Sequence, residues 1–273
     1  MADLFDSKAL HTHPHVRHAP TAHRRPRTLG QTWQALANSD PWRGAKKADV
    51  AAAQRQYKQV QDAFKADLMR AIRSYNQTEL GTVLVKTTRA AFDKAYQATY
   101  RLGLKAAGLS ALAQDRHTKT QGPAMDQADK DWLKSALAHE RRYFHAFLDD
   151  IKTGAIEDKR HTAAERVDMY VNTLDSVFHS GRVIGQPAHS LIYWVVDYNA
   201  EHCPSCLYLE ANSPFTRETL PTVPRSGACK CLYNCKCTLR IVVTKDMDRW
   251  LTVKANRNRS AMVAKLAALK RAR

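Results

Sequence analysis

All six cysteines of this 273-residue chain fall between residues 203 and 237: Cys203, Cys206, Cys229, Cys231, Cys235 and Cys237. The first pair reads Cys-Pro-Ser-Cys, a C-x2-C spacing. The second group reads Cys-Lys-Cys-Leu-Tyr-Asn-Cys-Lys-Cys, or C-x-C-x3-C-x-C. A C-x2-C turn aims two thiolates at one ion, and a second group roughly 20–30 residues further on closes a tetrahedron. Zinc suits such a set because it accepts four soft ligands and brings no redox demand. The intervening stretch holds Pro204, Pro214, Pro221, Pro224 and Gly227 but few large apolar residues, so it has little core of its own. Structural zinc is worth about 10–16 kcal/mol in small modules, enough to fix such a segment.

The spacing predicts one structural zinc per chain. Cys203 and Cys206 are the first choice of ligands and Cys231 and Cys235 the next. Cys237, at the start of a strand, is the alternate for Cys235, and Cys229 is supernumerary. Six thiols exceed the four positions of a closed site, which favours a structural ion over a catalytic one. Disulfides carry less weight. The opening MADLFDSKALHTHPH lacks the basic and apolar regions of an export signal, and a reducing cytosol disfavours them. An iron–sulfur cluster and free thiols are the remaining alternatives.

Other catalytic patterns are missing from the sequence: no G-x-S-x-G, no Walker A loop, no H-E-x-x-H, no G-x-G-x-x-G. Asp197, Glu201 and His202 flank the cysteine knuckle. An acid, a histidine and a metal can make a nuclease, but residues so placed more commonly orient a structural site. The chain therefore reads as a non-enzyme with no small-molecule substrate.

The elements that position the cysteines follow from hydrophobic period. Val50, Tyr57, Val60, Phe64, Leu68, Ile72 and Tyr75 share one face of a long helix from Ala45 to Asn76. A second helix carries Val85, Ala91, Ala95 and Leu102 and is expected to end near Gly103 or Gly108. A third follows Gly122-Pro123, with Asp126 and Asp129 at its positive N-terminus. It buries Trp132, Leu133, Leu137, Phe144, Phe147, Leu148 and Ile151, and Lys152, Thr153 and Gly154 stop it. A fourth runs from about Thr162 to Gly181 with Val167, Tyr170, Val171, Leu174 and Phe178 inward. The period then changes: Leu191–Val196 and Thr238–Val243 are β-branched and aromatic runs, read as strands. One last helix starts near Asp246 and carries Trp250, Leu251, Val253, Met262, Leu266 and Leu269.

The fold class expected is mainly α with a small zinc-stapled β module, an α+β arrangement of long helices, a Cys-rich hairpin-like domain and a basic final helix. The segments are a flexible His-rich basic arm (1–44), a helical body (45–188), the Cys-rich zinc module (189–245) and the basic C-terminal helix (246–273). The arm holds His11, His13, His15, His18 and His23 with three prolines and almost no large apolar residue. It reads as a solvated tail that cannot offset its ordering entropy.

Lysine plus arginine number 43 against 26 acids, a net charge of +17. Such an excess points to a polyanionic partner. Duplex DNA carries one charge per ~1.7 Å of axis, and basic tails at both ends suit nonspecific phosphate contact. The residues expected to make it are Arg24, Arg25 and Arg27 in the arm and Arg257, Arg259, Lys270 and Arg271 at the other end. An acidic protein surface is the competing partner. No apolar run approaches the roughly 18 residues that suggest a membrane span.

The order of these features is itself informative. A strand with Trp194 leads to Asp197 and Glu201-His202-Cys203-Pro204-Ser205-Cys206, then a spacer, then Asn234-Cys235-Lys236-Cys237 entering a last strand. This resembles the C-terminal module of phage head morphogenesis proteins, the minor head protein family that includes Mu-type F proteins. The resemblance covers about residues 190 to 243. The helical region ahead agrees in kind only. Lys236 stands where the family usually has arginine, and Cys231 where many members carry a histidine. The resemblance implies a structural protein of the virion head, interior or portal vertex, assembled in the host cytoplasm. Its implied partners are the portal protein, the major capsid or scaffold protein, and packaged double-stranded DNA. The alternative is a zinc-containing nucleic-acid-binding regulator or nuclease expressed during infection.

Overall fold

The computed structural model describes residues 45–75, 81–114, 127–155, 162–197 and 199–272. Arg24, Arg25, Arg27 and the histidines of the arm lie outside the described residues, as do Asp126 and the side chains of Tyr75, Val85 and Trp132. The described residues form two compact units, 45–186 and 187–272. The mainly α, α+β class expected from the sequence is borne out.

The first unit holds four helices: α1 (Lys47–Tyr75), α2 (Gly81–Gln114), α3 (Gln127–Lys152) and α4 (Ala163–Ile184). The stripes read from the period are the faces that meet. Phe64, Leu68 and Ile72 of α1, Leu133, Leu137, Phe144, Phe147 and Leu148 of α3, and Val167, Tyr170, Val171 and Leu174 of α4 are buried in one core. Its centre is aromatic. Phe64 meets Phe92 edge-on at 4.9 Å between ring centroids, and Phe144 meets Tyr170 likewise at 5.2 Å. Such geometry sets the positive ring edge against the negative face. The polar tips inside are paired: Tyr96 Oη with Thr173 Oγ1 at 2.7 Å, and Tyr100 Oη donating to Asp129 at 2.6 Å. Asp129 thus accepts a buried hydrogen bond as well as facing the helix dipole.

The boundaries of α2 and α4 depart from the sequence reading. α2 runs through Gly103 and Gly108 to Gln114, and α4 runs through Gly181 to Ile184, where Gly185 follows it. The two glycines are a helix crossing, not helix ends. A Cβ on Gly103 would lie 2.3 Å from the Phe178 carbonyl oxygen, and one on Gly181 would lie 2.4 Å from that of Tyr100. Only hydrogen fits between these backbones. α4 begins as Thr162 suggests: its Oγ1 accepts from Glu165 N–H at 3.3 Å while Glu165 accepts from Thr162 N–H at 2.8 Å, a full capping box.

The second unit contains β1 (Ser190–Val195), α5 (Pro204–Ala211), a single 3₁₀ turn (Leu232–Asn234), β2 (Thr238–Val243), α6 (Met247–Asn256) and α7 (Arg259–Arg271). β1 and β2 pair antiparallel, Ser190 opposite Val243 and Val195 opposite Thr238. Phe215 bridges to the other edge of β1, exchanging two backbone hydrogen bonds with Ile192 at 2.7 and 2.8 Å. Trp194, Leu191, Ile192, Leu239 and Phe215 are buried.

Two elements differ from expectation here. Residues 204–211, part of the proline-containing stretch for which no helix was expected, form α5. The single last helix is two, because Asn258 stops one and starts the next: its side chain accepts from Ala261 N–H at 3.0 Å. An N-cap residue has extended backbone, which breaks the helix before it. Trp250, Met262 and Leu266 are buried, but Leu251 is 53% exposed and belongs to the outer face. No helix among the described residues is long and apolar enough to cross a membrane.

Candidate metal centre

The two strands bring the cysteine segments together. β1 leads out to Cys203, and β2 is entered directly from Cys237. The register that sets Trp194 beside Leu239 therefore holds both halves at one end of the ladder. Cys203 is the N-cap of α5, and Pro204 is its first helical residue, where a missing N–H costs nothing. The Cys206 N–H donates to Cys203 O at 3.0 Å. Cys203 and Cys206 thus occupy one helical face, three residues apart, with their sulfurs 3.5 Å apart.

The second half is shaped by its backbone. Leu232 takes φ +52°, and its N–H donates to Cys229 O at 2.9 Å; Asn234 N–H donates to Cys231 O at 3.1 Å. The resulting tight turn returns Cys231 and Cys235 to the same side. Cys206 Sγ lies 3.5 Å from Cys231 Sγ and 3.7 Å from Cys235 Sγ. Lys230 N–H donating to Ser205 Oγ at 3.3 Å stitches the halves, and Arg225 Nε donating to Cys235 O at 2.9 Å ties the intervening loop to the second half.

All six thiols are free, with Cys206, Cys229, Cys235 and Cys237 buried, and five of them gather around Cys206. Two three-sulfur groups could each hold a metal ion: Cys203, Cys206 and Cys231, and Cys206, Cys235 and Cys237, the sulfurs of each within 4.8 Å of one another. Cys206 belongs to both. Of the four first-choice residues, Cys203, Cys206 and Cys231 share one group. Cys235 sits with Cys206 in the other, beside Cys237. Cys229 is buried and belongs to neither three-sulfur group.

The chemistry of the cluster suits a cation. A disulfide has sulfurs about 2.05 Å apart, far closer than any pair here. Four sulfurs at 2.3 Å from a tetrahedral ion have edges of about 3.8 Å, close to the 3.5–3.7 Å found. Side-chain interaction with Cys206 first, then with Cys231, draws the Cys203 thiol well below the usual thiol range. Contacts with Cys206 and Cys231 likewise hold Cys235 far below the usual thiol range and Cys229 at about 6. Cys206 and Cys231 are pushed up, first of all by Cys203. Packed thiols must share protons in this way, and a cation that displaces those protons satisfies every sulfur at once. Trp194 Nε1 is buried with no hydrogen-bond partner, and the Cys237 thiol is pushed up, the contact with Cys206 being outweighed by Cys235 and by burial.

The remaining site residues are placed as follows. Asp197 accepts from Asn199 N–H at 3.0 Å in a surface turn. His202 Nε2 is buried without a partner. Among the described residues, neither these two nor Glu201 joins a three-ligand group. Of the basic residues expected on phosphate, Lys270 donates to Gly227 O at 2.8 Å and Arg259 to Leu220 O at 3.2 Å, both tying α7 to the cysteine-bearing loop. Arg257 is half-buried, and Arg271 is exposed. Periodicity could not show these loop contacts, because they depend on where the 212–231 segment folds back. No protein-family model, curated protein or solved structure matches this chain.

Proposed function

We propose that this protein is a structural, non-enzymatic component of a tailed-phage head, acting in capsid assembly near the portal, with its cysteine cluster holding structural zinc. The observation that carries the reading is the joining of the C-P-x-C and N-C-x-C halves into one thiol cluster at the end of a two-stranded ladder. That juxtaposition agrees with the expectation set by the resemblance to the head-morphogenesis module. Zinc is the ion chosen because all the candidate ligands are thiols and the site is largely buried. Bound there, it would supply folding energy and cross-link the strands to α5, leaving no chemistry for the chain to perform.

The net charge of +17 supports a place beside packaged DNA. Arg271 is the residue of the expected C-terminal set most open to phosphate. Arg259 and Lys270 serve the module first. The portal and the major capsid or scaffold protein are the protein partners proposed.

The test is mass spectrometry of gradient-purified particles, with empty procapsids and DNA-filled heads analysed separately. The chain in both is the expected result. Its absence from both, with the protein free in the lysate, would overturn the reading. That outcome would favour a zinc-containing regulator or nuclease, for which the buried and unpartnered His202 Nε2 beside Cys203 is the one supporting observation.

A further inference from the structure

From Arg225 to Cys237 the only buried apolar side chains are those of Cys229, Cys235 and Cys237. Leu232 and Tyr233 stay half-buried. The segment is therefore anchored through its sulfurs, and an ion on them is its chief restraint.

Helix α7 is fastened to this same segment by two reciprocal bonds. Lys270 of α7 donates to the Gly227 carbonyl at 2.8 Å. Lys230, between Cys229 and Cys231, donates to the Ala272 carbonyl at 2.5 Å. Neither lysine has a carboxylate partner among the described residues. The start of α7 is fixed elsewhere: Arg259 donates to Leu220 O at 3.2 Å, and Leu220 is buried ahead of the segment. Met262 and Leu266 are buried, and α7 packs against α5, the helix that carries Cys206. A helix of 13 residues is marginal alone in water, so its last turn depends on what holds it.

We propose that the bound ion keeps a two-lysine clasp closed between the cysteine turn and the end of α7. Loss of the ion opens the clasp and passes Lys230 and Lys270 to the phosphates of duplex DNA. The inference rests on the zinc and DNA readings above and links them. In the closed state both ammonium groups are spent on carbonyls whose positions the fold fixes, and a phosphate must displace those carbonyls. In the open state both lysines sit on freed chain that can follow a DNA backbone. The coupling is reciprocal: DNA that captures the two lysines favours the open state and weakens ion binding by the same factor. Ion and DNA thus oppose each other at this end of the chain.

The test uses the full-length protein, zinc-loaded or stripped with a chelator under reducing conditions. Its affinity for a mixed-sequence DNA duplex is measured by fluorescence anisotropy over a salt series. Each phosphate neutralised adds about 0.9 to the slope of log affinity against log salt. Two released lysines should steepen the stripped protein's slope by about 1.8, an extra loss of about 12-fold between about 50 and 200 mM salt. Lys230→Gln combined with Lys270→Gln should bring the stripped slope back to the loaded wild-type value. Trypsin reads the clasp without DNA: cleavage after Lys270 should be slow in the loaded chain and fast in the stripped one. Equal slopes and equal cleavage in a chain that holds zinc would overturn the clasp and leave the zinc reading standing. Faster cleavage with equal slopes would overturn the transfer to DNA. A folded chain that takes up no zinc would overturn the zinc reading, and the clasp with it.

Discussion

Gly103 sits in the interior of α2, where a glycine should be a weakness. On helix propensity alone, Gly103→Ala stabilises by about 1 kcal/mol. The tertiary structure reverses the sign. The added Cβ would lie 2.3 Å from Phe178 O, 3.0 Å from Arg182 N and 3.0 Å from Gly181 Cα, all backbone atoms of α4. Tolerated carbon–oxygen contacts between helices are about 3.3–3.6 Å, so α2 and α4 must part by about 1 Å. No flexible side chain can yield instead. Overpacking of this kind costs about 1–3 kcal/mol, and a rigid backbone neighbour puts the cost at the upper end. The net expectation is a loss of about 2 kcal/mol. Urea unfolding followed by circular dichroism should show a midpoint lower by about 1 M for a slope near 2 kcal/mol/M. A variant as stable as the wild type, or more stable, would refute the crossing and restore Gly103 as a mere helix-weakening residue.

Three further outcomes are expected. Cys203→Ser combined with Cys206→Ser should abolish zinc binding, because Cys206 belongs to both three-sulfur groups, and elemental analysis reads this directly. Asn258→Ala removes the cap that opens α7 and should cost about 1 kcal/mol, read as a lower unfolding midpoint; an unchanged midpoint would mean the 257–258 break does not depend on that side chain. Burial raises the Glu140 carboxyl from 4.5 to about 7. The folded state therefore binds this proton more tightly than the unfolded one. That contribution is full below about pH 4.5 and is lost as pH rises through about 7. Glu140→Gln, neutral throughout, should flatten the decline in thermal stability between pH 5 and 8, and equal slopes in both proteins would contradict the assignment.

Local pattern carried much of this protein. The apolar stripes of α1, α3 and α4 are visible because a buried helix face repeats every 3.6 residues whatever it packs against. The strands Leu191–Val196 and Thr238–Val243 were legible within a residue from β-branched content. The clustering of six cysteines in 35 positions marked the candidate metal centre without any fold at all. What sequence could not decide was everything that depends on a partner brought from far along the chain. Gly103 and Gly181 look like helix stops, since a glycine's local meaning is flexibility; they are a contact, since its tertiary meaning is the absence of a Cβ. Arg259 and Lys270 read as free positive charge until the loop carbonyls of Leu220 and Gly227 are found under them. Spacing ranks Cys206 as one ligand among several. Only the three-dimensional meeting of α5 with the Cys231–Cys235 turn makes it the sulfur shared by both groups, because distances between segments are set by packing and strand register, which no single stretch of sequence contains.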